Sequence, residues 1–87
     1  MHYVYVLRSD RDGKLYTGVT SDLARRMREH AGGKTRSLRG RLPLRLVYKE
    51  VFETRREALA RERYFKTAEG GALKQRLVEQ AERGDNS

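Results

Sequence analysis

The sequence predicts a small α+β domain with the element order β-β-α-β-α-α. Three observations carry that prediction. Two short runs rich in β-branched and aromatic residues, Tyr3–Leu7 and Leu15–Val19, flank a polar turn at Ser9–Gly13. A third run, Leu44–Phe52, alternates well enough to be a strand and begins just after Pro43. Capped stretches with helical periodicity lie between and after these runs.

The first two runs form a hairpin. Ser9-Asp10-Arg11-Asp12-Gly13 has turn chemistry, and Gly13 is free to take a positive φ. Alternation puts Tyr3, Tyr5 and Leu7 on one face of the strand and Val4 and Val6 on the other. From the hairpin alone, the plain reading of the tyrosines is a half-buried cross-strand aromatic pair.

A helix follows, with Thr20 or Ser21 as its expected cap and Asp22 in its first turn, at the positive end of the dipole. It runs through Leu23-Ala24-Arg25-Arg26-Met27-Arg28-Glu29-His30 and stops at Gly32-Gly33. Leu23 and Met27 define its inward stripe, and Arg25, Arg28 and Glu29 point away. Arg26 and His30 each lie within about 60° of Leu23, which places one arginine and one histidine at the core edge. Arg26 reads equally as a snorkelling stem or as a functional cation. His30 reads first as a stabiliser of the helix C-terminus.

Lys34-Thr35-Arg36-Ser37-Leu38-Arg39-Gly40-Arg41 is a basic loop, either simply solvated or an arm that tracks phosphates. Thr54-Arg55-Arg56-Glu57 is a capping box that opens a second helix. Ala58, Leu59 and Phe65 set the buried stripe of that helix, and Glu62 sits near the stripe's angular centre. A carboxylate aimed at a core face is costly unless it is paired or binds a metal. The plain reading is an i,i+4 ion pair with Lys66. Thr67-Ala68-Glu69-Gly70-Gly71 reads as a break, after which Ala72 to Ala81 resumes a helix that packs through Leu73, Leu77 and Ala81. Residues 1–83 are expected to form one domain, and Glu82 onward is expected to fray, leaving 84–87 as a tail.

Composition narrows the function. The chain has 87 residues, of which 20 are Lys or Arg and 12 are Asp or Glu, for a formal net charge of +8. Eight of those 20 cations fall between Arg25 and Arg45, where Glu29 is the only acid. Such clustering is the footprint of a phosphate-backbone binder, although small proteins are sometimes simply basic. No strongly apolar helix face accompanies the charge, which argues against a membrane surface. There are no cysteines, so disulfides and thiolate-bound zinc are excluded. No apolar run is long enough to cross a bilayer and no signal-like segment follows Met1, so a soluble, cytoplasmic protein is expected. No internal repeat, phosphate loop or metal-binding histidine cluster is present.

Taken in order, these positions resemble the GIY-YIG endonuclease family, most closely its small single-domain bacterial members. The pieces are Tyr3-Val4-Tyr5, then Tyr16-Thr17-Gly18, then Arg26 on the first helix and Glu62 on the second. The similarity spans roughly residues 2 to 78. Tyr3 stands where the family has its first glycine and Thr17 where it has a central isoleucine. Val19 stands where excision-repair members carry a lysine. The resemblance implies a three-stranded, largely antiparallel sheet flanked by helices. It also implies hydrolysis of a DNA phosphodiester by an activated water, with one divalent ion, Mg²⁺ or Mn²⁺, held by Glu62. Arg26 would then complement phosphate charge as a bidentate guanidinium. Tyr5 or Tyr16 would orient or deprotonate the water, and His30 would contact phosphate or assist a proton transfer. A phenol of ordinary pKa, about 10, needs a nearby cation or metal to act as a base. Lys34, Arg36, Arg39, Arg41 and Lys66 would position the nucleic-acid backbone.

The expected partner is DNA, branched or damaged forms included, with RNA left open. The expected role is structure-selective cleavage in DNA repair or processing. Two other readings stand beside it: a non-catalytic nucleic-acid-binding module, and a nuclease subunit that needs a protein partner. The catalytic reading requires Glu62 to face a polar pocket shared with Tyr5, Tyr16 and Arg26.

Overall fold

The structure, a computed structural model, describes residues 1–84. Its elements are strands β1 (His2–Ser9) and β2 (Leu15–Thr20), helix α1 (Leu23–Ala31), a 3₁₀ segment (Arg36–Arg41), strand β3 (Leu44–Phe52), and helices α2 (Arg55–Phe65) and α3 (Ala68–Glu82). The three strands form one sheet in the order β2-β1-β3, and both pairings are antiparallel. The predicted fold class and element order therefore hold. Gly13 turns the β1–β2 hairpin at φ +72°, and the buried Ser9 hydroxyl accepts from the backbone N–H groups of Arg11 and Asp12.

The middle strand separates two small cores. Directly opposed residues in an antiparallel pair project to the same face, so the register assigns each side chain. Tyr5 and Leu7 face α1 and the 3₁₀ segment, where they pack with Leu38, Leu23, Met27 and Leu44. Val4 faces α2 and α3, where it meets Ala58 and Phe65, with Tyr48, Leu73 and Leu77 at the margin. On β2, Gly18 opposes Tyr5 and Tyr16 opposes Leu7, whereas Thr17 opposes Val6 and Val19 opposes Val4. The two motif tyrosines are thus not a directly opposed pair; Tyr5 lies across from a glycine.

Four local expectations change. The N-cap of α1 is Asp22, whose carboxylate accepts from the Arg25 N–H at 3.1 Å; the Thr20 hydroxyl instead accepts from the Asp22 N–H. The basic loop is largely folded, because the 3₁₀ segment drives Leu38 into the core beneath Tyr5 and Leu7. The helix after Thr67 restarts at once: Thr67 is its N-cap, accepting from the Gly70 N–H, so Gly70 and Gly71 lie inside α3. Gly70 is there for contact, since a Cβ on it would collide with the Tyr64 carbonyl oxygen at the α2–α3 corner. Glu82 is not frayed but closes α3 with a two-point bond to Arg8 on β1, at 2.9 and 3.1 Å. The rest of the expected tail, residues 85–87, lies outside the described residues. The capping box at Thr54 and Glu57 is present as predicted. Among the described residues no helix is long and apolar enough to cross a membrane.

Candidate active site

Tyr5 is the anchor. It stands on the central strand, only 4% exposed, and its ring folds over Gly18, where any Cβ would collide with the phenol. The glycine of the second motif is therefore a packing requirement of the tyrosine of the first. Helix α1 crosses the same face. With Leu23 and Met27 packed inward, the helical period leaves Arg26 and His30 beside the Tyr5 hydroxyl.

His30 is 4% exposed and bonded at both ring nitrogens. Nε2 lies 2.9 Å from the Tyr5 hydroxyl and Nδ1 lies 2.8 Å from the Thr35 hydroxyl. Burial, and secondarily the nearby Arg26 charge, pushes its pKa below the ordinary histidine value. The ring is accordingly neutral near pH 7, with one nitrogen donating and the other accepting. In one tautomer Nδ1–H donates to Thr35 and the Tyr5 hydroxyl donates to Nε2; in the other both bonds reverse. The helix-end role expected of His30 is replaced by this link between β1 and the loop after α1.

Arg26 completes the group. Its Nε–H donates to the Tyr5 oxygen at 3.4 Å and its Nη1–H to Glu29 at 3.1 Å. Glu29 differs from expectation: its side chain is 22% exposed, drawn in by Arg26 at i−3 and Arg25 at i−4. The hydrogen bond from Arg26 holds the Glu29 carboxyl below the usual carboxylate range. It stays an anion that fixes the guanidinium.

Tyr16 is engaged elsewhere. Its hydroxyl donates to Asp12 in the hairpin turn at 3.1 Å. The Lys14 backbone N–H holds the Asp12 pKa low, so the phenol faces a carboxylate anion too weakly basic to take its proton.

Glu62 approaches from α2. The buried Ala58 and Phe65 turn that helix onto the sheet, and beside them Arg61 donates twice to Glu50, at 2.8 and 3.0 Å, while its guanidinium lies 4.5 Å from the centre of the Phe65 ring. Glu62 then shares a face with Arg55, Leu59 and Lys66. Its side chain is 22% exposed, and its ion-pair partner, Lys66 Nζ, is 3.6 Å away, too far for a strong hydrogen bond. The groove that Glu62 lines, about 1150 Å³ in volume, is also lined by Tyr5, Tyr16, Arg26 and His30. The carboxylate is therefore not turned to bulk solvent.

The remaining predicted cations sit differently. Lys66 lines the groove; Lys34, Arg36, Arg39 and Arg41 do not. Arg39 donates to the Gly33 carbonyl and Arg41 pairs with Asp12, so these two brace the loop. The same loop supplies Thr35 and Leu38 to the groove wall, residues without charge or pattern to mark them in the sequence. Lys74 of α3 is another wall residue that the sequence did not single out.

Among the described residues no group of three or more His, Asp or Glu side chains could hold a metal. Three carboxylates reach the groove. Asp22 is used by the helix cap and Glu29 by two arginines, which leaves Glu62. One loosely paired carboxylate facing open, wet space fits an ion of the Mg²⁺ type, which takes few protein ligands and completes its shell with water and phosphate oxygens.

A hairpin tyrosine, a helix-borne arginine and histidine, and a carboxylate from a later helix thus line one groove. The chain belongs to the GIY-YIG family: the GIY-YIG catalytic domain matches residues 1–75. It is 45% identical over 83 residues to a UPF0213 protein of Bacillus licheniformis, covering 94% of this chain and 84% of that one. It is 49% identical over 67 residues to a UPF0213 protein of Haloquadratum walsbyi, covering 76% and 74%. The solution NMR structure of the UPF0213 protein BH0048 from Bacillus halodurans is 41% identical and covers 90% of this chain and 82% of that one, with a TM-score of 0.54.

Proposed function

We propose that the chain is a divalent-metal-dependent endonuclease that hydrolyses DNA phosphodiesters. The observation that supports it most is the hydrogen-bonded series Thr35–His30–Tyr5–Arg26, which shares one groove with the loosely paired Glu62. In this reading the tautomer with Nδ1–H on Thr35 acts. The attacking water gives a proton to the Tyr5 oxygen as Tyr5 passes its own proton to Nε2 of His30. A neutral, buried imidazole is suited to receive it. The water oxygen bonds to phosphorus, the bond from phosphorus to the leaving sugar oxygen breaks, and that oxygen takes a proton from solvent water in the groove. Arg26, steadied by Glu29, complements the charge on the phosphate oxygens. Glu62 would hold one Mg²⁺ or Mn²⁺, which supplies further charge neutralisation to the phosphate and the leaving oxygen.

Tyr16, committed to Asp12, lines the substrate path and does not carry the proton. Lys66 meets the backbone. The groove is open and its cations suit phosphates rather than base edges, which favours choice of DNA by shape, as in cleavage of branched or damaged DNA during cytoplasmic repair or processing.

The test is a cleavage panel of linear and branched DNAs with Mg²⁺, with Mn²⁺ and with EDTA. Glu62→Ala and Arg26→Ala are each expected to abolish nicking while DNA affinity stays within a few-fold. Nicking by either variant refutes the assignment. Binding without cleavage by the unmodified protein selects the non-catalytic module instead.

A further inference from the structure

Lys74 is a groove cation that the chemistry above does not use. It rises from α3, is half-buried, and its Nζ donates to the Thr17 hydroxyl at 3.2 Å. Among the described residues no carboxylate pairs with it. Thr17 projects from β2 to the α2–α3 side, opposite to the side taken by Tyr16 and Gly18. Lys74 therefore stands across the outer strand from Tyr5, Arg26 and His30, on the same groove. Burial, then the like charge of Lys66, pushes its pKa down. Lys66 and Lys74 line the same groove, where Glu62 lies 3.6 Å from Lys66. An anion arriving there relieves the repulsion and replaces lost hydration.

The groove also has room for it. At about 1150 Å³ it exceeds the roughly 300–1,000 Å³ of a small-molecule pocket, enough for more than one nucleotide. We propose that Lys74, seated on Thr17 and joined by Lys66, binds a second backbone phosphate of the nucleic acid, so that the strand crosses the edge of β2 between Lys74 and Arg26. The Thr17 hydroxyl accepts from the ammonium and keeps its own hydrogen to donate to the phosphate. This phosphate site rests on the nucleic-acid reading above but not on catalysis.

Binding of a fluorescent three-way-junction DNA is measured in EDTA, where nothing is cut, over about 50–200 mM salt. Each phosphate contact contributes roughly 0.9 to the slope of log affinity against log salt on duplex DNA. Lys74→Met should lower that slope by about 0.9, while Lys74→Arg should keep it. As a second readout, the Lys74 ammonium followed by NMR should titrate at higher pH once the junction is bound. An unchanged slope in Lys74→Met, an equal loss in Lys74→Arg, or an ammonium whose titration ignores DNA overturns the proposal. The outcomes separate from those of the nuclease assay. A protein that cuts nothing with Mg²⁺ or Mn²⁺ yet loses slope in Lys74→Met keeps this site and loses the enzymatic reading. One that nicks DNA with an unchanged slope does the reverse.

Discussion

Gly18→Ala tests the geometry on which the site depends, with no assumption about chemistry. Two effects of opposite sign compete. A glycine inside a strand costs about 0.5–1 kcal/mol relative to alanine, through the extra freedom of the unfolded chain. Taken alone, the substitution should therefore stabilise. The Cβ it adds, however, collides with the hydroxyl and ring of Tyr5, and Tyr5 can retreat only by giving up its buried seat, where it is 4% exposed, and its bond to His30. Overpacking of this kind costs about 1–3 kcal/mol, so the clash wins. The net loss should lower the thermal midpoint, by about 4–8 °C for each kcal/mol in a domain of this size. In a Tyr5→Ala background the collision partner is gone, and Gly18→Ala should turn neutral or stabilising. The assay is a double-mutant cycle read by thermal and urea unfolding with circular dichroism. The expected coupling is about 1–3 kcal/mol. If Gly18→Ala has the same effect with and without Tyr5, the packing argument is refuted. The chemistry has its own readout in the same protein: Gly18→Ala should shift the Tyr5 and His30 ring resonances, because the phenol must move off Nε2.

Two further predictions concern other parts of the fold. Gly70→Ala and Gly71→Ala, adjacent in one helix, should differ in sign when melted side by side. At Gly70 a Cβ meets the Tyr64 carbonyl oxygen, whereas at Gly71 its nearest neighbour is the Phe65 oxygen at 3.6 Å, an ordinary contact. Gly71→Ala should gain about 0.5–1 kcal/mol and Gly70→Ala should lose more than that. His30 should give the stability a pH dependence. Its pKa is lower folded than unfolded, so the unfolded chain binds its proton first as pH falls. The contribution is complete above about pH 6.5 and is lost between that value and the lower folded pKa, at about 1.36 kcal/mol for each unit of separation. His30→Phe should flatten this acid limb in urea titrations from pH 7.5 to 5; an unaltered limb would mean that the buried ring titrates normally.

Much of the architecture was legible because its signals are local. The Thr54–Glu57 capping box spans four consecutive residues and needs nothing else to close. The third strand, from Leu44 to Phe52, announces itself by alternation after a proline. Helical angle alone placed Arg26 and His30 at the core edge and Glu62 near the centre of the inward stripe of its helix. The errors have a common origin. Gly70-Gly71 reads as a break by propensity, yet α3 includes both residues, because the contact that demands Gly70 comes from the turn of helix before it. Glu29 reads as a solvated charge, yet two arginines on its own helix draw it down. The loop from Lys34 reads by its charge, yet its one leucine folds it.

The sequence by itself determined the order of elements, the hairpin, the Thr54–Glu57 cap and the side of α1 and of α2 that faces the groove, because periodicity and a capping box are set within a turn or two of chain. Only the tertiary structure decided which groups touch. Tyr5 meets His30 across 25 residues, Arg61 meets Glu50 across 11, and Lys74 meets Thr17 across 57. Such contacts depend on how two thin cores clamp the central strand from opposite sides, and no pattern within a single segment encodes that distance.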